Sequence, residues 1–462
     1  MTEIKRRPDL PETAEFSVTL ERTNFDVELP QDISVEIQEL KYLSEENFVD
    51  TIRPILRACM TRIRHIEGEK IRGDKWIYHM LPDPNDSGRK NPLVVLPGRG
   101  CGYEKATGGC SMCNFAGDGR DITTRDVDEA MEFLIENQKD KKVSKININA
   151  LGSFFSDREI SPDIRAYIYS KIKEHADKMG EDGLVVFITE ARIDHITEER
   201  VKEMREAVGR DVIIDIGVGV ESTDYLLREA VINKGLPVDW EDKLRMIRGY
   251  QPMDVTVHTM FGTPFLDEGQ SVRETVKSIR DCIRMENQDG EHVIDSVLLM
   301  VMNRKPGTLT DYLSRSGQYR MPNLMAVAES LLTIGESVST EELKRVRILG
   351  LVGPDVHVKA GTEYVSRDPD HPELDDIYDI LLEWRGTPEE LDKLRIAYQA
   401  VSQDVRDQIG YGGPYEGEGL SEEEKTRLRT SICEAYYRIA TTLFPELQGS
   451  SFAEISDHFK QN

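Results

Sequence analysis

Residues 184–220, LVVFITEARIDHITEERVKEMREAVGRDVIIDIGVGV, decide the fold. The run opens on a short apolar, β-branched segment, Leu184–Thr189. It passes through an amphipathic stretch, Glu198–Ala207, and closes on a second apolar segment, Val212–Val220. Segments that are apolar at nearly every position are buried on both faces, which is the pattern of parallel strands. Two such segments with a helical pattern between them read as one strand–helix–strand unit.

The same alternation continues on both sides. Strands are expected at Leu93–Leu96, Lys145–Ala150, Leu184–Thr189, Val212–Val220, Val255–Met260 and Val297–Met302. Helical patterns fall at Val127–Asn137, Ser161–Lys178, Glu198–Ala207, Trp240–Gly249 and Ser271–Met285, with another at Pro322–Ile334. Right-handed crossovers curl a sheet built this way. The expected fold class is α/β: a partial (β/α)6-type barrel of parallel strands with an N-terminal helical extension and a C-terminal helical region. The divisions expected are 1–90, 91–344 and 345–462. In such barrels chemistry sits at the C-terminal strand ends.

Residues 1–48 are polar without a sustained period and read as an extension. From Glu46 to Ile66 the apolar spacing predicts one helix, broken near Pro54. Residues 83–92, DPNDSGRKNP, are a loop by composition. After Arg345, RVRILGLVG is a possible further strand. Asp375 to Ile409 reads as two helices with Pro388 opening the second, and Glu423 to Leu443 reads as the last helix.

The chain has 462 residues, a net charge of −26, 39% apolar and 31% charged residues. That is ample for a large core and too apolar for a disordered chain. No apolar run is long enough to span a bilayer, and MTEIKRRPDL has no signal-peptide core. A cytoplasmic protein is expected. Charge is uneven: Arg53 to Lys105 carries a local net of +5, and Gly361 to the end a net of −12. So acidic a chain repels nucleic acid at long range.

The six cysteines are Cys59, Cys101, Cys110, Cys113, Cys282 and Cys433. Three of them fall in PGRGCGYEKATGGCSMCNF, spaced C-x8-C-x2-C in the loop after the first expected strand. Zinc and an iron–sulfur cluster are both candidates. Zinc needs a fourth ligand, such as His79 or His258. Three cysteines suit a [4Fe–4S] cluster with one open iron. The other three cysteines are isolated and read as buried apolar thiols.

This arrangement resembles the radical S-adenosylmethionine superfamily, in a branch with an expanded first cysteine gap that includes the Elongator catalytic subunit. The chain is similar above all to the radical subunit of archaeosine synthase. GGCSMC, ALGSFFSDREI, GVES, VINKG, TPFLDEGQSVRE and PGTLTDYLSRSGQYRMP carry that likeness, over roughly residues 93–325. The superfamily places an aromatic residue before the third cysteine. Here that position is Met112, and Phe115 follows two residues after Cys113.

The resemblance implies that Cys101, Cys110 and Cys113 bind the cluster and carry catalysis. It implies that S-adenosylmethionine is held by Gly152 and Ser153, by Glu190 and Arg192, by Glu221 and Ser222, and by Gly307 and Thr308. Arg192 would pair with the cofactor carboxylate, Glu190 would lie near its ribose or amine, and Glu221 and Ser222 would meet the ribose hydroxyls. Lys234 is a candidate for an anionic substrate, and Gly235 for a helix cap. The implied enzyme, of lyase or transferase type, cleaves S-adenosylmethionine reductively to a 5′-deoxyadenosyl radical. That radical abstracts hydrogen from a nucleoside-type substrate, with a modified tRNA base as one candidate. A reductant such as flavodoxin or ferredoxin is the expected partner. Two other readings stand beside it: action on a free nucleoside or small metabolite, and a non-catalytic, zinc-bound scaffold.

Overall fold

The computed structural model describes residues 23–67, 77–82, 90–114, 120–138, 142–180, 183–351 and 363–461. The strands are β1 (Ile77–Pro82), β2 (Lys90–Val95), β3 (Val143–Asn149), β4 (Leu184–Glu190), β5 (Val212–Glu221), β6 (Met253–Phe261), β7 (Ser296–Val301) and β8 (Val346–Leu349). They form one sheet in chain order. β1 is antiparallel to β2, and every later pair is parallel. Seven parallel strands in sequential order, joined by helical crossovers, make a curled half-barrel.

The expected partial barrel is present and extends by a seventh parallel strand, because RVRIL pairs with β7. β1 was not foreseen. Most of the loop expected at 83–92 lies outside the described residues, as do residues 1–22 of the expected extension.

Each strand carries two chemistries. On β5, Val212, Ile214, Ile216, Val218 and Val220 are buried and join the apolar core beneath the helices. The alternate residues, Asp215, Gly217, Gly219 and Glu221, face the concave side, as the two-residue period of a strand requires. The crossover helices begin where side chains satisfy their first N–H groups. Thr123, Ser161, Thr197 and Asp267 each accept a hydrogen bond from the backbone three residues on, the usual N-cap arrangement.

The flanks form a second core. A helix at Gln31–Leu40 lies where the sequence showed no period. The next helix, Glu45–Glu67, runs through Pro54 without the expected break. An interior proline costs about 3 kcal/mol, and this helix buries Ile52, Ile55, Leu56, Cys59, Met60 and Ile63 completely or nearly so. At roughly 2 kcal/mol per buried side chain, packing outweighs the proline. Its partners are the C-terminal helices Glu422–Leu443 and Phe452–Gln461. The second of these was not expected. Nor was the short helix Gln403–Gln408, which follows Pro388–Ala400 where one longer helix had been read. No helix among the described residues is long and apolar enough to cross a membrane.

Candidate functional site at the cysteine loop

The loop after β2 holds Cys101, then a short helix, Gly102–Thr107, then Gly108 and Gly109. Both glycines have left-handed backbone, with φ of 79° and 76°. A Cβ on Gly108 would lie 2.9 Å from the Arg57 carbonyl and from Thr61 Oγ1, so the loop packs directly on the helix Glu45–Glu67. That helix also reaches over the loop. Arg64 Nη2 donates to the carbonyls of Cys110 at 2.7 Å and Cys113 at 2.6 Å.

The segment VINKG forms the other support. A π-helical turn, Leu227–Val231, leads into it, and Asn233 takes a positive φ of 55°. Asn233 Nδ2 donates to the Gly109 carbonyl at 2.7 Å, and Ser111 N–H donates to the Ile232 carbonyl at 2.9 Å. Tyr103 Oη donates to the Asn233 carbonyl at 2.9 Å. Buried Glu229 holds the turn by accepting from Gly235 N–H at 2.9 Å and Leu236 N–H at 3.2 Å. Gly235 is therefore part of this turn, with φ of 63°, and not a helix cap.

Two cations adjoin the thiols. Lys234 Nζ is 2.7 Å from Glu221 Oε1. Glu221 sits at a β-bulge with φ of 70°, a conformation that costs about 1–3 kcal/mol for a non-glycine residue and gathers at functional sites. The Arg192 guanidinium lies 3.7 Å from the centre of the Tyr103 ring, donates to the Lys234 carbonyl at 3.0 Å and pairs with Asp194 at 3.0 Å.

Burial pushes the Cys101 thiol up to about 12, with the charges of Glu159, Cys113 and Cys110 adding to the rise. Burial also raises Cys110, against the pull of Lys234 and Arg192. The three sulfurs therefore share one electrostatic neighbourhood. A bound cationic centre would draw the raised Cys101 and Cys110 thiols toward the thiolate form.

One carboxylate, Glu159, ties Cys101 to the Gly152–Ser153 turn. It accepts from Gly102 N–H at 3.0 Å and Ser153 N–H at 2.7 Å. Gly152 packs so closely that a Cβ would fall 2.9 Å from Cys101 Cα. Ser153 Oγ in turn accepts from Arg192 N–H at 3.1 Å. Burial raises the Glu159 carboxyl, and the backbone N–H groups of Gly102, Ser153 and Gly152 oppose that rise.

Cys101, Cys110, Cys113, Gly152, Ser153, Arg192 and Glu221 thus come together. Gly307 and Thr308 lie beyond β7, next to a helix that touches the cysteine loop through Thr310. Thr308 caps the helix Leu309–Arg315, and Thr310 N–H donates to the Ser111 carbonyl at 3.2 Å. Ser222 turns away: its hydroxyl donates to Glu274 Oε1 at 2.8 Å, inside the core. Glu190 stands on the open concave face beside Gly217 and His258. Phe115 and the His79 side chain lie outside the described residues. Cys59 and Cys433 are buried in one apolar core and Cys282 in the other.

Arg64, Tyr103, Glu159 and Asn233 were not assigned roles from the sequence. Each acts by reaching a distant segment, and only the order of SFFSDREI and VINKG hinted at two of them. Beyond β6, a cavity of about 440 Å³ is lined by Phe265, Glu268, Tyr319 and Arg320, among others. Tyr319, like Cys110 and Cys113, packs on an apolar cluster of Met112, Ile232, Met260 and Met302.

No family model matches the chain. It is 26% identical over 299 residues to an uncharacterized protein of Methanocaldococcus jannaschii, covering 62% of this chain and 77% of that one. It is 25% identical over 245 residues to archaeosine synthase subunit beta of Methanosarcina acetivorans, covering 52% of this chain and 66% of that one, just under two thirds of its length. Among solved structures, archaeal Elp3 of Methanocaldococcus infernus is 16% identical with a TM-score of 0.38, covering 55% of this chain and 57% of that one. Its similarity to archaeosine synthase subunit beta agrees with the likeness that its motifs carry.

Proposed function

We propose that the chain is a radical S-adenosylmethionine enzyme of the cytoplasm. The observation that carries this reading is the convergence of Cys101, Cys110 and Cys113 with the Gly152–Ser153 turn and Arg192 at the C-terminal strand ends. The donor set fits a [4Fe–4S] cluster: three cysteine thiols in one neighbourhood, with a glycine-rich turn beside them. Three cysteine thiols leave one iron of a four-iron cluster open, whereas a structural zinc site takes four protein ligands, so the donor set favours the cluster over the zinc scaffold.

A cluster held by Cys101, Cys110 and Cys113 would supply the one electron that reductive cleavage of S-adenosylmethionine requires. The chain's own residues bind and orient. Arg192 is the partner for the cofactor carboxylate, with its guanidinium plane fixed on Tyr103. Gly152 and Ser153 offer backbone to the cofactor amino group, Glu221 meets the ribose, and the Gly307–Thr308 turn lies on the adenine side. Ser222, engaged by Glu274, supports Glu221 from behind.

The similarity to archaeosine synthase subunit beta supports a nucleoside-type substrate, with a tRNA base as the first candidate. The net charge of −26 favours a second reading, a free nucleoside or other small metabolite. Flavodoxin or ferredoxin is the proposed electron donor.

Anaerobic reconstitution with iron and sulfide, followed by dithionite and S-adenosylmethionine, tests the reading. The expected result is about four irons per chain and 5′-deoxyadenosine by mass spectrometry, both lost in Cys110→Ala. Stoichiometric zinc without iron would overturn it in favour of the scaffold. Retention of labelled tRNA at low salt separates the two substrate readings.

A further inference from the structure

Two stretches singled out in the sequence, TPFLDEGQSVRE and the end of PGTLTDYLSRSGQYRMP, have no part in the cysteine site described so far. In the fold they lie together. The first leads from the C-terminal end of β6 into the helix Glu268–Ile283, and the second follows the helix Leu309–Arg315. Tyr319 Oη donates to the Gly262 carbonyl at 2.9 Å and ties one to the other. Both line the cavity of about 440 Å³, which falls within the range of roughly 300–1,000 Å³ that small-molecule sites take. Its place at a C-terminal strand end is where barrels of this kind hold their ligands. Tyr319 is a wall it shares with the cysteine site, because the same residue packs on the apolar cluster that Cys110 and Cys113 touch.

The charged groups of the wall are already engaged. Asp267 accepts from Gln270 N–H at 2.7 Å, Tyr415 Oη donates to Glu268 Oε1 at 3.0 Å, and Arg320 Nη2 donates to the Ile409 carbonyl at 3.0 Å. Two neutral groups are not engaged. Thr263 and Ser271 are only 4% and 5% exposed, both line the cavity, and neither hydroxyl has a hydrogen-bond partner among the described residues. Buried hydroxyls nearby do find partners: Ser278, two turns along the same helix, donates to Glu274 at 2.9 Å, and Ser330 donates to the Ala326 carbonyl at 3.0 Å. Phe265 and Tyr319 add ring surface. Phe265 is held at a φ of 69°, strained for a non-glycine residue, with its ring edge-on to Tyr436 at 5.7 Å between centroids. Among the described residues, the other non-glycine positions with positive φ are Glu221 and Asn233, and both belong to the cysteine site.

We infer that this cavity binds an uncharged, flat ring with a polar edge, and its role as a pocket for the substrate rests on the proposed radical reading. The unspent groups define the ligand. The hydroxyls of Thr263 and Ser271 can each donate or accept, and the carboxylate of Glu268 has more acceptor sites than Tyr415 fills. The rings of Phe265 and Tyr319 suit a flat partner. Arg320, the cation in this wall, is committed to Ile409, so the wall does not select a phosphate or carboxylate. The fitting class is a heterocycle that carries N–H donors for Glu268 beside groups that the two hydroxyls can meet, as a nucleoside base does.

Equilibrium dialysis of the reconstituted full-length chain against guanosine and guanosine 5′-monophosphate tests this. Guanosine is expected to bind, and at least as tightly as the monophosphate. Thr263→Val removes a hydroxyl at nearly constant volume, and Glu268→Gln replaces an acceptor with a donor, so each should weaken binding about tenfold. Ser271→Leu fills the cavity and should abolish binding. A variant that loses the far-ultraviolet circular dichroism of the parent is set aside, and the other substitutions then decide. The site is overturned if guanosine does not bind the parent, which would leave water as the partner of the two hydroxyls. It is also overturned if binding is unchanged in the folded Thr263→Val and Ser271→Leu variants. Tighter binding of the monophosphate, lost in Arg320→Gln, would overturn the uncharged ligand class. 5′-Deoxyadenosine formed by the parent without guanosine binding would sink the pocket and leave the radical reading standing. Guanosine binding that obeys the substitutions, in a chain that takes up no iron, would do the reverse.

Discussion

Glu159 joins two loops with one side chain, and its chemistry makes the consequence of changing it specific. Its oxygens face backbone N–H groups of Gly102 and Ser153, which can only donate. An amide at this position turns an NH2 toward one of those donors and leaves it unpaired, at a cost of about 1–3 kcal/mol. Glu159→Gln should therefore free the Cys101 arm of the loop while the barrel stays folded. The expected outcome is several-fold faster loss of reconstituted iron to a chelator, with the urea midpoint of the barrel shifted only slightly. Unchanged iron loss would show that Glu159 does not position Cys101. Arg64 bears on the other arm, through the carbonyls of Cys110 and Cys113. The three cysteines were legible because their spacing is local. Glu159 and Arg64 were not, because an acid in a polar loop and a basic residue on an amphipathic helix look like solvated charges until the fold shows what they touch.

At the level of elements, the half-barrel was readable because apolar strands and amphipathic helices alternate with distinct periods. β8 was harder to see because it is four residues long. The helix at Gln31–Leu40 was missed because only Ile33 and Ile37 are buried, one turn apart, so its apolar face is too narrow to show as a period. The π-helical turn and the bulge in β5 follow from long-range packing, and no local signal marks them. They place Asn233 under the cysteine loop. Asn233→Ala removes the donor to Gly109 and the acceptor for Arg57 Nε. We expect it to cost about 1–3 kcal/mol, read as a lower urea midpoint, together with increased proteolysis at the Gly108–Gly109 turn. On the helix Glu268–Ile283, burial and the nearby Asp224 charge raise the Glu274 carboxyl above its ordinary value. Glu274→Gln preserves an acceptor for Ser222 and removes the burden of ionising a buried acid. Stability at pH 8 should be equal to or greater than that of the parent. A marked loss would mean that the charge itself holds Ser222.

Across the whole molecule, the first and last of the described helices pack together beside the cysteine loop. Tyr436 Oη donates to the Ala230 carbonyl at 2.9 Å, and Lys425 pairs with Asp224 at 3.0 Å, so the C-terminal helix braces the segment that leads into the cysteine platform. On the concave face, the balance of charge sets a pH dependence that one residue isolates. Burial pushes the Asp215 carboxyl up to about 7, with the like charges of Asp254 and Asp295 adding to the rise and Thr256 and Lys145 opposing it. In the unfolded chain the same carboxyl titrates near 3.8. Between these values the folded state holds a proton that the unfolded state has released, so this group's contribution to stability is full below about pH 4 and falls as pH rises to about 7. Three pH units at about 1.4 kcal/mol each give a loss on the order of 4 kcal/mol. Depressed carboxylates such as Asp126, held at about 2 chiefly by Arg120, work in the opposite direction and lose their contribution only in acid. The difference between the parent and Asp215→Asn cancels such groups. Urea midpoints at pH 5 and pH 8 should show the variant gaining relative to the parent as pH rises. Parallel curves for the two proteins would mean that Asp215 stays ionised in the folded barrel and that solvent, not burial, governs the concave face.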